Sequence, residues 1–235
     1  MLLRILLLLF IETVLLTTAE PTTDYDMDAA REDLYTSSIT CPGTPYMDDR
    51  SRGVALDVHN YRRSQLAKGY VKNKKGRNLP QASNMIKLEY DCDLEKSGTD
   101  FVKCKESLEG SPLLGVKKNH LYFAKDRAGD RRQAIRFAVK HWWSRVRKDG
   151  GIGQEVTFKE GNAGRPISAF TKMAWATTEK VGCVARECPD HWSVVCLYNP
   201  GGNQVGSHIY ERGSPCTACP KGFTCNADSL CEMSS

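Results

Sequence analysis

Ten cysteines and five histidines hold most of the reactive chemistry in this chain of 235 residues. Cys216, Cys219, Cys225 and Cys231 form a CxxC pair followed by two more cysteines. That spacing serves zinc in a reducing compartment and a disulfide knot in an oxidising one. The other six are Cys41, Cys92, Cys104, Cys183, Cys188 and Cys196. His59, His120, His141, His191 and His208 stand singly, without the H-x-x-x-H spacing that sets two imidazoles on one helix face. The chain has no GxSxG elbow and no H-E-x-x-H, and no residue near Ser64 would make it a nucleophile for His59 to serve. An enzyme is therefore not expected.

The compartment decides between thiolate and disulfide. The first residues, with Arg4, an apolar run from Leu6 to Ile11 and small residues at Thr17 and Ala19, read as a secretory signal over 1–19. Glu12 interrupts the run, and no later stretch reaches the roughly 20 apolar residues that spanning a bilayer needs. A secreted, extracellular protein that does not span the membrane is expected, with all ten cysteines paired in five bridges. Spacing leaves the connectivity open, although Cys183, Cys188 and Cys196 flank a hairpin-like segment and so lie near one another.

The net charge of +5 hides an asymmetry. Residues 20–40 are polar and aperiodic, and Glu20, Asp24, Asp26, Asp28, Glu32 and Asp33 face only Arg31 there, so an acidic flexible arm precedes a more cationic body. A pI near 8.6 in an exported chain points to acidic glycans, anionic surfaces or acidic proteins, and not to nucleic acid. There is no N-x-S/T acceptor.

These residues need elements to hold them. Val54, Val58, Tyr61 and Leu66 recur at helical spacing from Arg52, with Asp49 or Ser51 as N-cap and Gly69 as the stop. A basic loop over 72–80 precedes a helix-like stretch from Ser83 through Met85, Leu88, Leu94 and Phe101, broken near Asp91 and tethered by Cys92 and Cys104. Arg131 to Arg147 places Ile135, Val139, Trp142 and Val146 on one stripe and basic residues on the others, an amphipathic helix. Strands are expected at 155–159, 169–177 and 192–198, with turns at Gly161-Asn162 and Asn199-Pro200-Gly201-Gly202. In the second of these strands Phe170, Met173 and Trp175 put apolar mass on both faces. Helices followed by strands suggest an α+β layer fold. Beyond Gly213 the four closing cysteines leave little room for an apolar core, so 213–235 reads as a disulfide-stapled tail.

Phe170 to Trp175, FTKMAW, together with His59-Asn60, Tyr90 to Glu95, Trp142-Trp143 and VVCLYNPGGN over 194–203, resembles the cysteine-rich secretory, antigen 5 and pathogenesis-related (CAP) superfamily. The likeness spans roughly 41–231 and is greatest to the activation-associated secreted, or venom allergen-like, proteins of parasitic nematodes. It implies an α-β-α sandwich with a central antiparallel sheet over 41–212 and a hinge-like C-terminal module. It also implies a metal tetrad of two histidines and two acidic residues at the floor of a cleft. Here only His59 matches that tetrad. Asn119, Arg145 and Ala169 stand at the other three positions, so zinc is disfavoured and no cofactor is expected. His120 lies beside the altered position. A cleft bearing His59, Asn119, His120 and Arg145 would favour an anionic partner, such as a host extracellular protein or acidic glycan. The alternative that the resemblance implies is sterol or fatty acid carriage, for which Tyr122 and Phe123 supply the aromatic surface. No oligomeric interface is legible in the sequence.

Overall fold

The computed structural model describes residues 37–104 and 113–234. The secretory signal and the arm up to residue 36 lie outside these. Helix α1 (Asp49–Ala67) opens with the Asp48 carboxylate accepting the Ser51 N–H at 2.9 Å. The cap is thus one residue before the expected Asp49, and Gly69, at φ +77°, ends the run as expected. Residues 37–40 are tied to this helix: Ser37 Oγ donates to Asp57, and the Ile39 N–H to the Asp49 carbonyl. The approach is so close that a Cβ at Gly53 would stand 1.7 Å from the Ser37 carbonyl oxygen.

The stretch from Ser83 to Phe101 is not one broken helix. It runs as extended backbone into strand β1 (Glu89–Tyr90), then helix α2 (Cys92–Gly98) and a 3-10 turn at Thr99–Phe101. Asp91 explains the break, because its carboxylate accepts the N–H groups of Asp93 and Leu94 and so starts a new helix there. Strand β2 (Lys117–Ala124) and helix α3 (Arg131–Trp143) follow, with a short helix α4 (Arg145–Lys148) continuing past Ser144. The expected stripe is inward: Ile135, Val139, Trp142 and Val146 are all buried.

Two expected strands are absent as such. Residues 155–159 make only the isolated bridge from Thr157 to His208. In place of a strand over 169–177 stands helix α5 (Ile167–Ala174), with extended backbone from Trp175. Ile167, Phe170, Thr171 and Ala174 fall at helical spacing and are all buried, and Pro166, at φ −55°, suits a helix start. A short apolar run carries either period, and packing against α3 selects the helical one, with Trp143 and Phe170 rings 4.7 Å apart.

Strands β3 (Lys180–Glu187) and β4 (His191–Asn199) form the hairpin inferred around Cys183 and Cys196. The sheet order is β1-β3-β4-β2, antiparallel except for the two-residue parallel pairing of β1 with β3. One face carries the main core against α1, α3 and α5. On the other, Leu94 of α2 packs with Val102, Val116, Val184, Val195 and Leu197. This is an α-β-α sandwich.

Five disulfides close it: Cys41–Cys92, Cys104–Cys188, Cys183–Cys196, Cys216–Cys225 and Cys219–Cys231. The tail hairpin of β5 (Phe223–Cys225) and β6 (Cys231–Met233) is stapled back onto the body. The Cys231 N–H donates to the Met85 carbonyl and Ser64 Oγ to the Asp228 carbonyl.

Two buried arginines fasten α1. Arg52 pairs bidentately with fully buried Glu95 of α2, at 2.7 and 3.0 Å, and Tyr90 and Thr44 also donate to that carboxylate. Arg63, fully buried, donates to the carbonyls of Ile86, Met173, Trp175, Ala176 and Thr178. Removing the guanidinium would strand those acceptors. Arg63→Met is therefore expected to lower stability by about 3–5 kcal/mol, read as a fall in the denaturant midpoint of the disulfide-intact protein. An unchanged midpoint would mean the carbonyls find other donors.

Candidate functional site

Four residues from separate elements bring polar groups together where α1, β2, β4 and α5 converge. His59 lies on the sheet-facing side of α1, with 1 % of its surface exposed. Its Nδ1 is 2.7 Å from the Ala55 carbonyl, one turn back, and since a carbonyl can only accept, that nitrogen bears the proton. Nε2 then accepts from the Tyr198 hydroxyl at 3.0 Å. The Tyr198 oxygen accepts in turn from Asn119 Nδ2 at 3.4 Å, and the same amide donates to the Ala169 carbonyl at 2.9 Å. The result is a neutral relay, Asn119 to Tyr198 to His59 to Ala55. Asn119 Oδ1 is left buried without a partner.

Burial, with Arg63 and Arg62 adding repulsion, pulls the His59 pKa down to about 4, and burial drives that of Tyr198 upward. Both are neutral at physiological pH. Of the four positions that the sequence marked, the relay joins His59, Asn119 and the Ala169 backbone. Arg145 turns elsewhere, to His141 and to Asp149 at 3.6 Å. His120 lies on the opposite face of β2, with Nε2 3.1 Å from Ser193 Oγ and its ring 4.2 Å from Tyr122. Burial, and then Lys118, holds its pKa near 4.

The donor set does not suit a divalent metal. Tyr198 occupies the one lone pair His59 could offer, Asn119 adds a neutral oxygen and Ala169 a methyl. Two clusters bring sulfur into ligand range, His59 with Cys183 and Cys196, and Cys216, Cys219 and Cys231. In both, the sulfurs are spent in disulfides, and zinc needs thiolates.

The aromatic pair marked for lipid divides. Tyr122 is 42 % exposed, whereas Phe123 turns inward against Phe137, ring centroids 4.4 Å apart. An apolar cavity of about 380 Å³ lies elsewhere, between α1, the approach to β1 and the tail hairpin, where Leu56, Ile86, Leu88, Phe223 and Met233 line it. Sequence reasoning missed Tyr198, Arg63 and Lys172. Tyr198 ends an otherwise apolar run and Lys172 interrupts one, which are the signals that would have marked them.

A sandwich of this topology closed by five disulfides defines a class of cysteine-rich domains. The family model for the cysteine-rich secretory protein family (CAP) matches residues 56–198, and the chain belongs to that family. It is 36% identical over 200 residues to the Ancylostoma secreted protein of Ancylostoma caninum, covering 82% of this chain and 46% of that protein. The chain thus spans about half the length of that relative. It is 28% identical over 192 residues to hookworm platelet inhibitor 1 of the same organism, covering 80% of this chain and 84% of that one. Among solved structures it resembles BmVAL-1 with a TM-score of 0.76 at 27% identity, covering 84% of this chain and 100% of that one.

The relay makes a pH signature. Unfolding lets His59 protonate near its ordinary 6.5, so its contribution to stability is complete above that pH and is lost as pH falls toward 4. The loss should be roughly 3 kcal/mol over that interval. In denaturation titrations, His59→Gln is expected to flatten this acid limb relative to the parent, and an equally steep limb would place the titration in other groups.

Proposed function

We propose that this chain is a secreted, non-enzymatic binding protein that acts on host proteins or cells, in the manner of a parasitic nematode's host-interaction antigen. The observation that carries this reading is the sealed neutral relay at the tetrad position: His59 offers neither a free lone pair nor a proton near neutral pH. The one hydroxyl beside His59, that of Tyr198, is buried and held protonated, and the described residues around it offer no second ligand for a metal. The names of its relatives, a hookworm secreted protein and a platelet inhibitor, support an extracellular role against host components. Among the described residues no helix is long and apolar enough to cross a membrane. Basic side chains along the outer side of α3 and α4, Arg132, Arg136, Lys140 and Arg147, favour acidic proteins or acidic glycans as partners.

A second reading, carriage of a sterol or fatty acid, draws on the apolar cavity beside the tail hairpin. Native mass spectra of the exported protein separate the two. A bare polypeptide mass supports protein or glycan binding, and an added lipid mass supports carriage.

The same spectra test the tetrad. The parent protein, dialysed against zinc, is expected to retain none stoichiometrically, whereas Asn119→Glu/Arg145→Glu/Ala169→His should gain one ion. Stoichiometric zinc on the parent would remove the reading of a dead metal site. Passed over immobilised sulfated glycan or acidic protein, the parent should bind saturably and with salt sensitivity, and Arg145→Glu should bind several-fold more weakly. Indifference to both salt and Arg145→Glu would exclude a cationic recognition surface.

A further inference from the structure

Strand β2 is an edge of the four-stranded sheet, paired with β4 on one side only. Successive strand residues turn their backbone groups to opposite sides. The Lys118 carbonyl accepts from Lys172 Nζ of α5 at 2.8 Å, outside the ladder, while the Lys125 N–H, of the other parity, reaches Asp190 next to the start of β4. The backbone N–H and C=O groups of His120 and Tyr122, and the N–H of Ala124, whose carbonyl opens the 3-10 turn over Lys125–Arg127, therefore face away from β4. Among the described residues they have no partner, and Tyr122 and Ala124 are exposed. A row of unpaired groups of this kind is a template for another strand.

Charge selects the strand it would accept. Lys117, Lys118 and Lys172 gather at one end of the edge, while at the other Lys125 is paired with Glu187 at 2.7 Å and Arg127 follows Asp126, so the cationic end is that of Lys117. Lys172 is largely buried, and burial together with repulsion from Lys117 and Lys118 brings its pKa down to about 8, which marks a cationic group short of negative charge. Among the described residues neither Lys117 nor Lys172 forms an ion pair. A second copy is a poor fit, because the antiparallel register that overlaps the whole edge sets Lys117 opposite Lys125, like against like. We infer that the free edge of β2, from His120 to Ala124, docks an extended acidic segment of a partner protein by strand addition. This deepens the binding-protein reading, on which it rests for the existence of a partner, by giving that partner's chemistry.

The test uses the disulfide-intact protein and a fluorescein-labelled peptide of eight residues alternating glutamate and valine, read by anisotropy. Binding is expected to fall about tenfold when alternate peptide amides are N-methylated, a change that removes backbone donors and leaves the charge intact. It should fall similarly with Ala124→Pro in the protein. Ala124 already has φ −57°, which proline adopts, and its N–H is one of the unpaired edge donors, so the fold should persist. Lys117→Glu should weaken the acidic peptide and strengthen its lysine-for-glutamate counterpart. Equal affinity for the methylated and unmethylated peptides, or no effect of Ala124→Pro, would overturn strand addition while leaving a cationic binding surface in place. So would a heparin oligosaccharide that alone binds, indifferent to both changes. Failure of every anionic probe would overturn this inference and the binding-protein reading together.

Discussion

A single buried cation organises the molecule. Arg63 sits within α1 with no exposed surface, and its guanidinium donates to carbonyls from two distant segments, Ile86 ahead of β1 and the run from Met173 to Thr178. Desolvating a charge is costly, and here carbonyl dipoles replace the lost water, those of Met173 and Trp175 at the negative end of α5 among them. Burial lowers its pKa only to about 9, so it stays charged. The planar fork fixes direction as well as distance, which a hydrophobic contact would not.

Much of the site follows from that anchor. With the end of α5 held, Trp175 packs under the turn after β4, where a Cβ at Gly202 would come within 2.3 Å of its ring. That turn sets the end of β4 and with it Tyr198, whose hydroxyl closes over His59. His59 lies one helical turn before Arg63; burial chiefly keeps its imidazole neutral, and repulsion from that cation adds to it. The convergence of α1, β2, β4 and α5 is a hydrogen-bonded core with one orphan acceptor on Asn119. The recognition we propose therefore uses the outer surface, with the edge of β2 as its strand-pairing template.

Elements with strong local signals were legible. Helix α1 follows from its apolar period and glycine stop, α3 from its stripe, and β4 from its apolar run, whereas its hairpin partner β3 was marked only by the neighbouring cysteines and not expected as a strand. The error at 169–177 has a physical cause: with Phe170, Met173, Ala174 and Trp175 so close together, both a strand and a helix can bury them, and only α3 decides. The helix expected through Ser83 to Tyr90 fails because its carbonyls at Ile86 and Leu88 are claimed by Arg63 and Asn60 across the interface. The site was half legible. His59, Asn119, Arg145 and Ala169 could be aligned by pattern, but the hydroxyl that links the first two belongs to a residue 139 positions away from His59.

Sequence alone determined the family and the sandwich class, because each depends on residue types and on spacings within one segment. Disulfide partners, the choice of helix for the Phe170 segment, the sealing of His59 by Tyr198 and the unpaired edge of β2 were decided by the tertiary structure. All of these depend on groups far apart in the chain, and neither local propensity nor composition carries their distances or directions.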